Sequence, residues 1–526
     1  MNLSPISFLF FAQGKSLGVY HELLLRLQKK RTIDKVGFYV ANREYYQSFL
    51  RTNPDFEKNF VVLKEWDIYA EAETHHADLN RIHGYEKKLG DPTLWSPWVT
   101  DRRLFMGQYA TWRQNYCPAR SPEKVLAILD LALQKIEMLF DRVMPHVVFT
   151  LYTATFGDCL AHLFAASRGI RSLDLRMARL KNYVMFVDGV TEPPPHIAKL
   201  YKRFESGIPS EWRQVAEAYL EGGKKSLYEG KPLKSGAEKK IRLGSFLSRC
   251  FFPKTYLKLY RLIQEHQKSK QAPFRFCPQH FSPLIQTFLK DYWIPWNAKS
   301  TQKKLADILL KKEDLKNLDY GLYPLHTEPE LVLSQFARPY LNQIEVIRNI
   351  RLSLPITMTL VVKEHPMMIG KRSFRYYKKI LEIPNVRLAD FSLPSEILLE
   401  QTKIVVVIRG AIGLEAVIRK KPVLSLGKSL FDILPPTLFR SCWNLYELPQ
   451  AIQETIQNYR PDPESLIRYL AAVMAGSTPV NLISDLIGKA GRERSEVDAG
   501  AKEHPHWNIL TEHLLKRILD DSIQKF

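Results

Sequence analysis

The chain has 526 residues, of which 45% are apolar and 25% charged. That balance excludes a mostly disordered, collagenous or low-complexity protein and leaves ample material for buried cores. The length suits three or four domains of about 150 residues, or two larger ones. Seventy-six Lys and Arg against 55 Asp and Glu give a net charge of +21, which points to polyanionic partners. Five cysteines (Cys117, Cys159, Cys250, Cys277 and Cys442) lie far apart with no C-x-x-C pair. An odd, unpatterned set argues against a disulfide scaffold or a zinc site, and a reducing cytoplasm is the expected compartment.

Ile6–Ala12 opens the chain as an apolar run. It lacks a basic segment before it and a small-residue cleavage site after it, so a first buried strand is expected rather than a signal peptide. Lys35–Ala41, Phe60–Lys64, Val147–Tyr152 and Arg171–Met177 are further predicted strands. Helical patterns at Tyr20–Lys30, Ser121–Met144 and Gly157–Arg168 separate them, Ser121 being placed to cap and Gly169 to terminate. This alternation predicts a parallel sheet with helices on both faces over residues 1–195.

From 196 to 315 the pattern is helical or irregular, after the triplet Pro193-Pro194-Pro195. Residues 221–270 hold thirteen Lys and Arg against four Glu. A solvated linker and a docking surface for an anionic membrane, glycan, lipid or nucleic acid are both open readings of that block. Alternation returns over 316–445, with predicted strands at Tyr320–Leu325, Thr357–Lys363, Val386–Ala389, Ile404–Ile408 and Pro422–Leu426. Helices are expected at Tyr340–Leu352, Phe374–Leu381, Ser395–Gln401 and Gly413–Arg419, and a helical tail over 446–526 with a loose stretch at Gly488–Lys502. No apolar run approaches the roughly 18 residues needed to span a bilayer. Two α/β halves predict two Rossmann-like domains facing a cleft, with ligands beyond the carboxyl ends of the strands.

Two strand ends carry the strongest signals. Leu360-Val361-Val362 runs into Lys363-Glu364-His365-Pro366, where the proline keeps His365 out of helical geometry and Lys363 and His365 can donate to phosphate oxygens. One unit later, Arg409-Gly410-Ala411-Ile412-Gly413-Leu414-Glu415 forms a Gly-x-x-Gly turn opening a helix. Glycines allow close backbone approach, free helix N–H groups favour anions, and Glu415 can accept from ribose hydroxyls or serve as a first-turn helix carboxylate.

Tyr323-Pro324-Leu325-His326-Thr327-Glu328-Pro329-Glu330, Lys363-Glu364-His365-Pro366, Pro384-Asn385-Val386-Arg387-Leu388, Gly410-x-x-Gly413-x-Glu415-Ala416, Lys421-Pro422-Val423 and Gly427 occur in this order. Together they resemble the bacterial capsular polysaccharide biosynthesis family, which includes Kdo transferases that use CMP-Kdo and build a Kdo linker on a lipid acceptor. The resemblance is clearest over 320–435, with weaker echoes at Glu86–Arg103 and Arg179–Gly189. It implies a two-domain GT-B glycosyltransferase without an obligatory metal. It further implies that His365 and Glu415 hold the CMP part of the donor, with Pro366, Lys363, Glu364, Arg409, Gly410 and Gly413 around them. The chain departs from the family where hydroxyl residues usually stand in the Arg409-Gly410-Ala411 turn and a glycine at Lys420.

A retaining transfer needs a carboxylate at the reacting carbon and an inverting one a base for the acceptor hydroxyl. Asp101, Asp158 and Asp188 are the candidates from the N-terminal half, with helix capping or surface roles as the plainer reading. His75-His76, near His83, lacks companion ligands, so an exposed polar loop is expected and no metal is assigned. Gln13-Gly14-Lys15-Ser16-Leu17-Gly18 suits an acceptor or phosphate loop but lacks the upstream glycine of a P-loop.

The leading expectation is a glycosyltransferase of capsule or surface-glycan assembly, moving a Kdo-like acidic sugar from a CMP-activated donor to a glycan or lipid-linked acceptor. Location in the cytoplasm, with peripheral contact on the inner membrane face, goes with it. A UDP- or GDP-sugar transferase on the same fold is one alternative. The other is a non-catalytic glycan-binding or assembly factor of capsule biosynthesis and export. No DNA- or RNA-binding module is recognisable.

Overall fold

Buried strands rich in Val, Ile and Phe, separated by amphipathic helices, can cover both sheet faces only if each connection crosses over the sheet. A computed structural model of the chain describes residues 5–101, 121–222, 292–328, 330–482, 486–487 and 505–519. The basic block beyond Gly222, Arg102, Arg103, Cys117, Cys250, Cys277 and the stretch from Gly488 to Lys502 lie outside the described residues.

Six strands form the N-terminal sheet: β1 (Ile6–Ala12), β2 (Ile33–Val40), β3 (Val61–Lys64), β4 (Val147–Leu151), β5 (Arg171–Met177) and β6 (Val184–Asp188). Their order is β3-β2-β1-β4-β5-β6, with only β6 antiparallel to its neighbour. The C-terminal sheet holds β7 (Tyr320–Pro324), β8 (Thr359–Lys363), β9 (Val386–Leu388), β10 (Ile404–Val407), β11 (Val423–Ser425) and β12 (Phe439–Ser441). All its pairings are parallel, in the order β12-β11-β10-β7-β8-β9. Each half therefore repeats one plan, in which the first strand of the half lies beside the fourth. Strand order reverses there, and the adjoining loops diverge to leave a crevice at the carboxyl edge.

Aromatic packing holds the first sheet. Phe10 is fully buried and stacks on Phe38 at 5.1 Å and on Phe149 at 4.9 Å between ring centres. Such offset pairs add about 0.5–1.5 kcal/mol beyond their buried area. The last helix, His506–Leu519, brings Trp507, Leu510 and Leu514 into this same core. This helix thus completes the core of the first half. Helix Pro463–Ala475 packs against helices Pro195–Arg203 and Ser210–Glu221. Its Leu470 and Val473 share one core with Met185 and Val187 of β6 and with Val405 and Val407 of β10. The two sheets are joined through this continuous apolar layer.

Ten of the twelve strands stand where the sequence pattern places them, within two residues at each end. The edge strands β6 and β12 do not emerge from that pattern. Strand β6 returns from β5 through Arg179 and Lys181, both left-handed at φ 57° and 48°. Non-glycine residues at such positions are uncommon, so the turn carries no glycine signal. Strand β12 is only three residues long. Ser121 does sit at the start of helix Pro122–Val143, but its side chain makes no capping hydrogen bond. Among the described residues, no helix is long and apolar enough to cross a membrane.

Candidate functional site

Between the carboxyl edges of the two sheets lies a cavity of about 480 Å³, lined by residues of both halves. Small-molecule sites fall within roughly 300–1,000 Å³.

On its C-terminal wall, β8 is wholly buried and ends in the His-Pro turn. Lys363 and Glu364, expected as donor ligands, line the cavity and also brace that turn. The Lys363 Nζ donates to the carbonyls of Asp390 and Phe391, both at 2.9 Å, and burial lowers its pKa to about 8. Glu364 is fully buried, pairs with Arg372, and accepts from Tyr377 Oη at 2.8 Å and from the His365 N–H at 2.6 Å. A charge this deep persists only when paired and hydrogen-bonded. His365 Nδ1 accepts from the Met367 N–H at 3.2 Å, and Pro366 opens the short 3-10 turn that follows. The ring proton therefore belongs on Nε2. Burial keeps the imidazole pKa below its ordinary value, so at neutral pH His365 is an uncharged Nε2–H donor in the cavity lining.

The second turn follows β10. Gly410 is the N-cap of helix Ala411–Ile418 with extended backbone at φ −154°, and a Cβ there would stand 3.5 Å from His326 Cε1. Gly413 is buried and does not line the cavity; a Cβ there would meet Phe439, Val407 and Val423. Its task is helix-to-sheet packing rather than ligand approach. Glu415 is the fifth helical residue, beyond the first turn, so it does not serve as a helix N-terminal carboxylate. It lines the cavity, and burial, with Glu396 nearby, raises its pKa to about 7.

A folded-state carboxyl pKa above its unfolded value means that the native state binds more protons than the unfolded state across the interval. Stability from this group is then greatest in acid and is lost as pH rises from about 4.5 to 7. Replacing Glu415 by Gln should remove that slope. Denaturant melts at pH 5 and pH 8 should show the wild type losing about 2–3 kcal/mol more than Glu415→Gln.

Arg409, expected at the donor site, and His326, Glu330, Arg176, Arg179 and Glu192, which had no assigned role, line the rest of the wall. His326 follows β7; its Nδ1 donates to Glu330 Oε2 at 3.2 Å while Nε2 accepts from the Arg409 N–H at 3.4 Å. Burial alone would raise the Glu330 pKa, but the His326 hydrogen bond and the charge of Arg179 hold it below the ordinary value. Arg409 is buried, lies 3.7 Å from the Phe336 ring centre and donates to Glu192 Oε1. Burial lowers its pKa to about 10, leaving it charged at neutral pH. From the N-terminal half, Arg176 joins Glu192 at 2.7 Å to Asp174 at 3.1 Å. An ion-pair chain Asp174–Arg176–Glu192–Arg409 thus crosses the seam. His326 and Glu330 stand in the Tyr323–Glu330 motif and Arg179 begins the Arg179–Gly189 segment, so a signal was present for these three. Glu192 had none, because its partners lie 16 and 217 residues away.

The three N-terminal carboxylates expected to do chemistry do not line the cavity. Asp158 forms a capping box with Thr155 at the start of helix Phe156–Ser167, and burial raises its pKa well above the ordinary value. Asp101, fully buried, accepts from the Phe156 N–H of the same helix at 3.0 Å. A buried helix start needs acceptors for its unpaired N–H groups, and these two aspartates supply them. Asp188 pairs with Arg171 and Arg517, tying β6 to the C-terminal helix. The Gln13–Ser16 loop also lies off the cavity and closes on itself, Ser16 Oγ meeting both the N–H and the carbonyl of Gln13. His75 is not a free polar loop residue: it bonds Asp130 at 2.7 Å beside Arg81. No cluster of metal-ligating side chains occurs among the described residues.

Two solved structures resemble the chain weakly. A KpsC beta Kdo 2,4 transferase of Thermosulfurimonas dismutans is 14% identical, covering 62% of this chain and 78% of that one, with a TM-score of 0.33. A KpsC beta Kdo 2,7 transferase of the same organism is 11% identical, covering 66% and 83%, with a TM-score of 0.30. At such identities and scores, nothing about this site follows from them. Among curated proteins, the capsule polysaccharide export protein KpsS of Escherichia coli is 29% identical over 185 residues, 33% of this chain. The chain matches 46% of that relative's length, less than half. Residues 247–438 match the model of the capsule polysaccharide biosynthesis protein family, a span holding the His326, His365 and Glu415 turns. That match spans the segment that supplies the C-terminal wall of the cavity.

Proposed function

We propose that the chain is a glycosyltransferase of capsule assembly that moves a Kdo-like acidic sugar from a CMP-activated donor to a glycan or lipid-linked acceptor. The observation that carries this reading is the pairing of a neutral His365 Nε2–H and a partner-poor Glu415 in one cavity at the strand-order reversal. Phosphate and ribose are the groups such a pair is suited to hold. The 29% identity to a capsule polysaccharide export protein supports a place in capsule assembly.

In the proposed reaction, the bond between the anomeric carbon and the phosphate oxygen breaks with its electron pair going to CMP. His365 Nε2–H donates to that phosphate as its charge grows. The acceptor hydroxyl oxygen bonds the anomeric carbon and gives its proton to Glu330, whose partner His326 keeps it ionised and oriented. Glu330 lines the cavity whereas Asp101, Asp158 and Asp188 do not, which supports giving it this role. The basic block would favour an acceptor held at an anionic membrane surface.

Thermal unfolding with CMP, UDP and GDP at matched concentrations tests the donor class. CMP should stabilise most, by about 2.7 kcal/mol at 100 times its dissociation constant. Greater stabilisation by UDP or GDP would reassign the donor. Binding without any turnover of a CMP-sugar would favour an assembly or export factor.

A further inference from the structure

Charge at the seam is unevenly served. Glu192 Oε1 is shared between Arg176 and Arg409, while Glu192 Oε2 and Arg409 Nη1 are buried without a hydrogen-bond partner. Arg409 is only 3% exposed, so its unmatched N–H groups cannot be satisfied by bulk water. Beside it in the cavity lining stands Arg179, half-buried and held in a left-handed backbone conformation at φ 57°. It makes no ion pair or hydrogen bond with the described residues. A guanidinium of fixed fork geometry is suited to a planar carboxylate.

We propose that Arg179 and Arg409 form an anion subsite at the seam of the two halves that takes the carboxylate of an acidic sugar. Glu192 acts there as an internal carboxylate, which the ligand's acid group rivals for Arg409. The subsite rests on reading the cavity as a nucleotide-sugar site and names what distinguishes its sugar. Arg176 stays committed to Asp174 and Glu192 and serves to position the latter. Arg179 and Arg409 are specificity residues, not proton carriers.

Free Kdo and its methyl ester, titrated calorimetrically into the full chain with and without CMP, test this. Wild type should bind the acid about tenfold or more tightly than the ester, as one charge-assisted contact allows. Arg179→Gln should abolish that gap while leaving the CMP stabilisation and the melting temperature unchanged. Glu192→Gln should tighten the acid several-fold and leave the ester alone. Arg409→Gln, whose melting temperature reports any folding defect, should also close the gap. Equal binding of acid and ester, no binding of the acid, or a gap untouched by Arg179→Gln overturns the subsite. If CMP binds and the gap is missing, the subsite fails alone; if the gap is present and CMP does not bind, the nucleotide reading fails instead.

Discussion

His365→Ala is expected to lower turnover of a CMP-activated sugar by about a hundred- to a thousand-fold, the usual cost of removing one donor from a developing charge, about 2.7–4 kcal/mol. The basis is geometric. Met367 N–H occupies Nδ1, so Nε2 carries the proton, and burial keeps the ring uncharged at neutral pH. A donor that strengthens only as the phosphate gains charge acts on the transition state, so the loss should fall on kcat more than on donor KM. The His365 pKa is lowered, so the catalytic Nε2–H form persists through neutral pH and activity should not fall between pH 7 and 8 on its account. Steady-state kinetics of the variant beside its melting temperature checks both points. Unchanged kcat in a folded His365→Ala protein would remove His365 from the site.

Arg372→Met should unfold the chain more easily by about 3–5 kcal/mol, the cost of stripping the partner from a buried ion pair. Arg372 is 4% exposed, pairs with Glu364, lies 3.8 Å from Glu328 and donates to the His326 carbonyl at 2.6 Å. It therefore ties together the loops after β7 and β8, which carry His326 and His365. Without it two buried carboxylates lose their counter-ion, and Glu328 already has its pKa raised to about 7 by burial. Losing the Arg372 charge would favour protonation of Glu328 further in the folded variant, so its deficit should grow as pH rises from 5 to 8. Urea unfolding at the two pH values measures this. Lys should rescue poorly, because one ammonium cannot reproduce the fork that reaches Glu364 and the carbonyl together. A deficit below about 1 kcal/mol would mean that water reaches the cluster.

What the sequence by itself determined was the strand–helix alternation and the two turns at the ends of β8 and β10. Period and punctuation are local properties: an apolar run such as Leu360-Val361-Val362, a proline after His365 and a glycine at the helix start are readable within a dozen residues. The resemblance of the Tyr323–Glu330 and Gly410–Glu415 segments to one family was legible for the same reason. Roles that depend on what lies across a loop or a seam were not. Lys363 and Glu364 read as ligands, and their bracing of the turn was not legible, because Arg372, Tyr377 and the Asp390 and Phe391 carbonyls converge on them only in the folded chain. Asp101 and Asp158, 57 positions apart in sequence, meet at one helix start, where unpaired N–H groups claim both. Glu192 became part of the site only because the tertiary structure sets it against Arg409 of the other half, 217 residues on, where burial makes an unshared carboxylate too costly to leave alone.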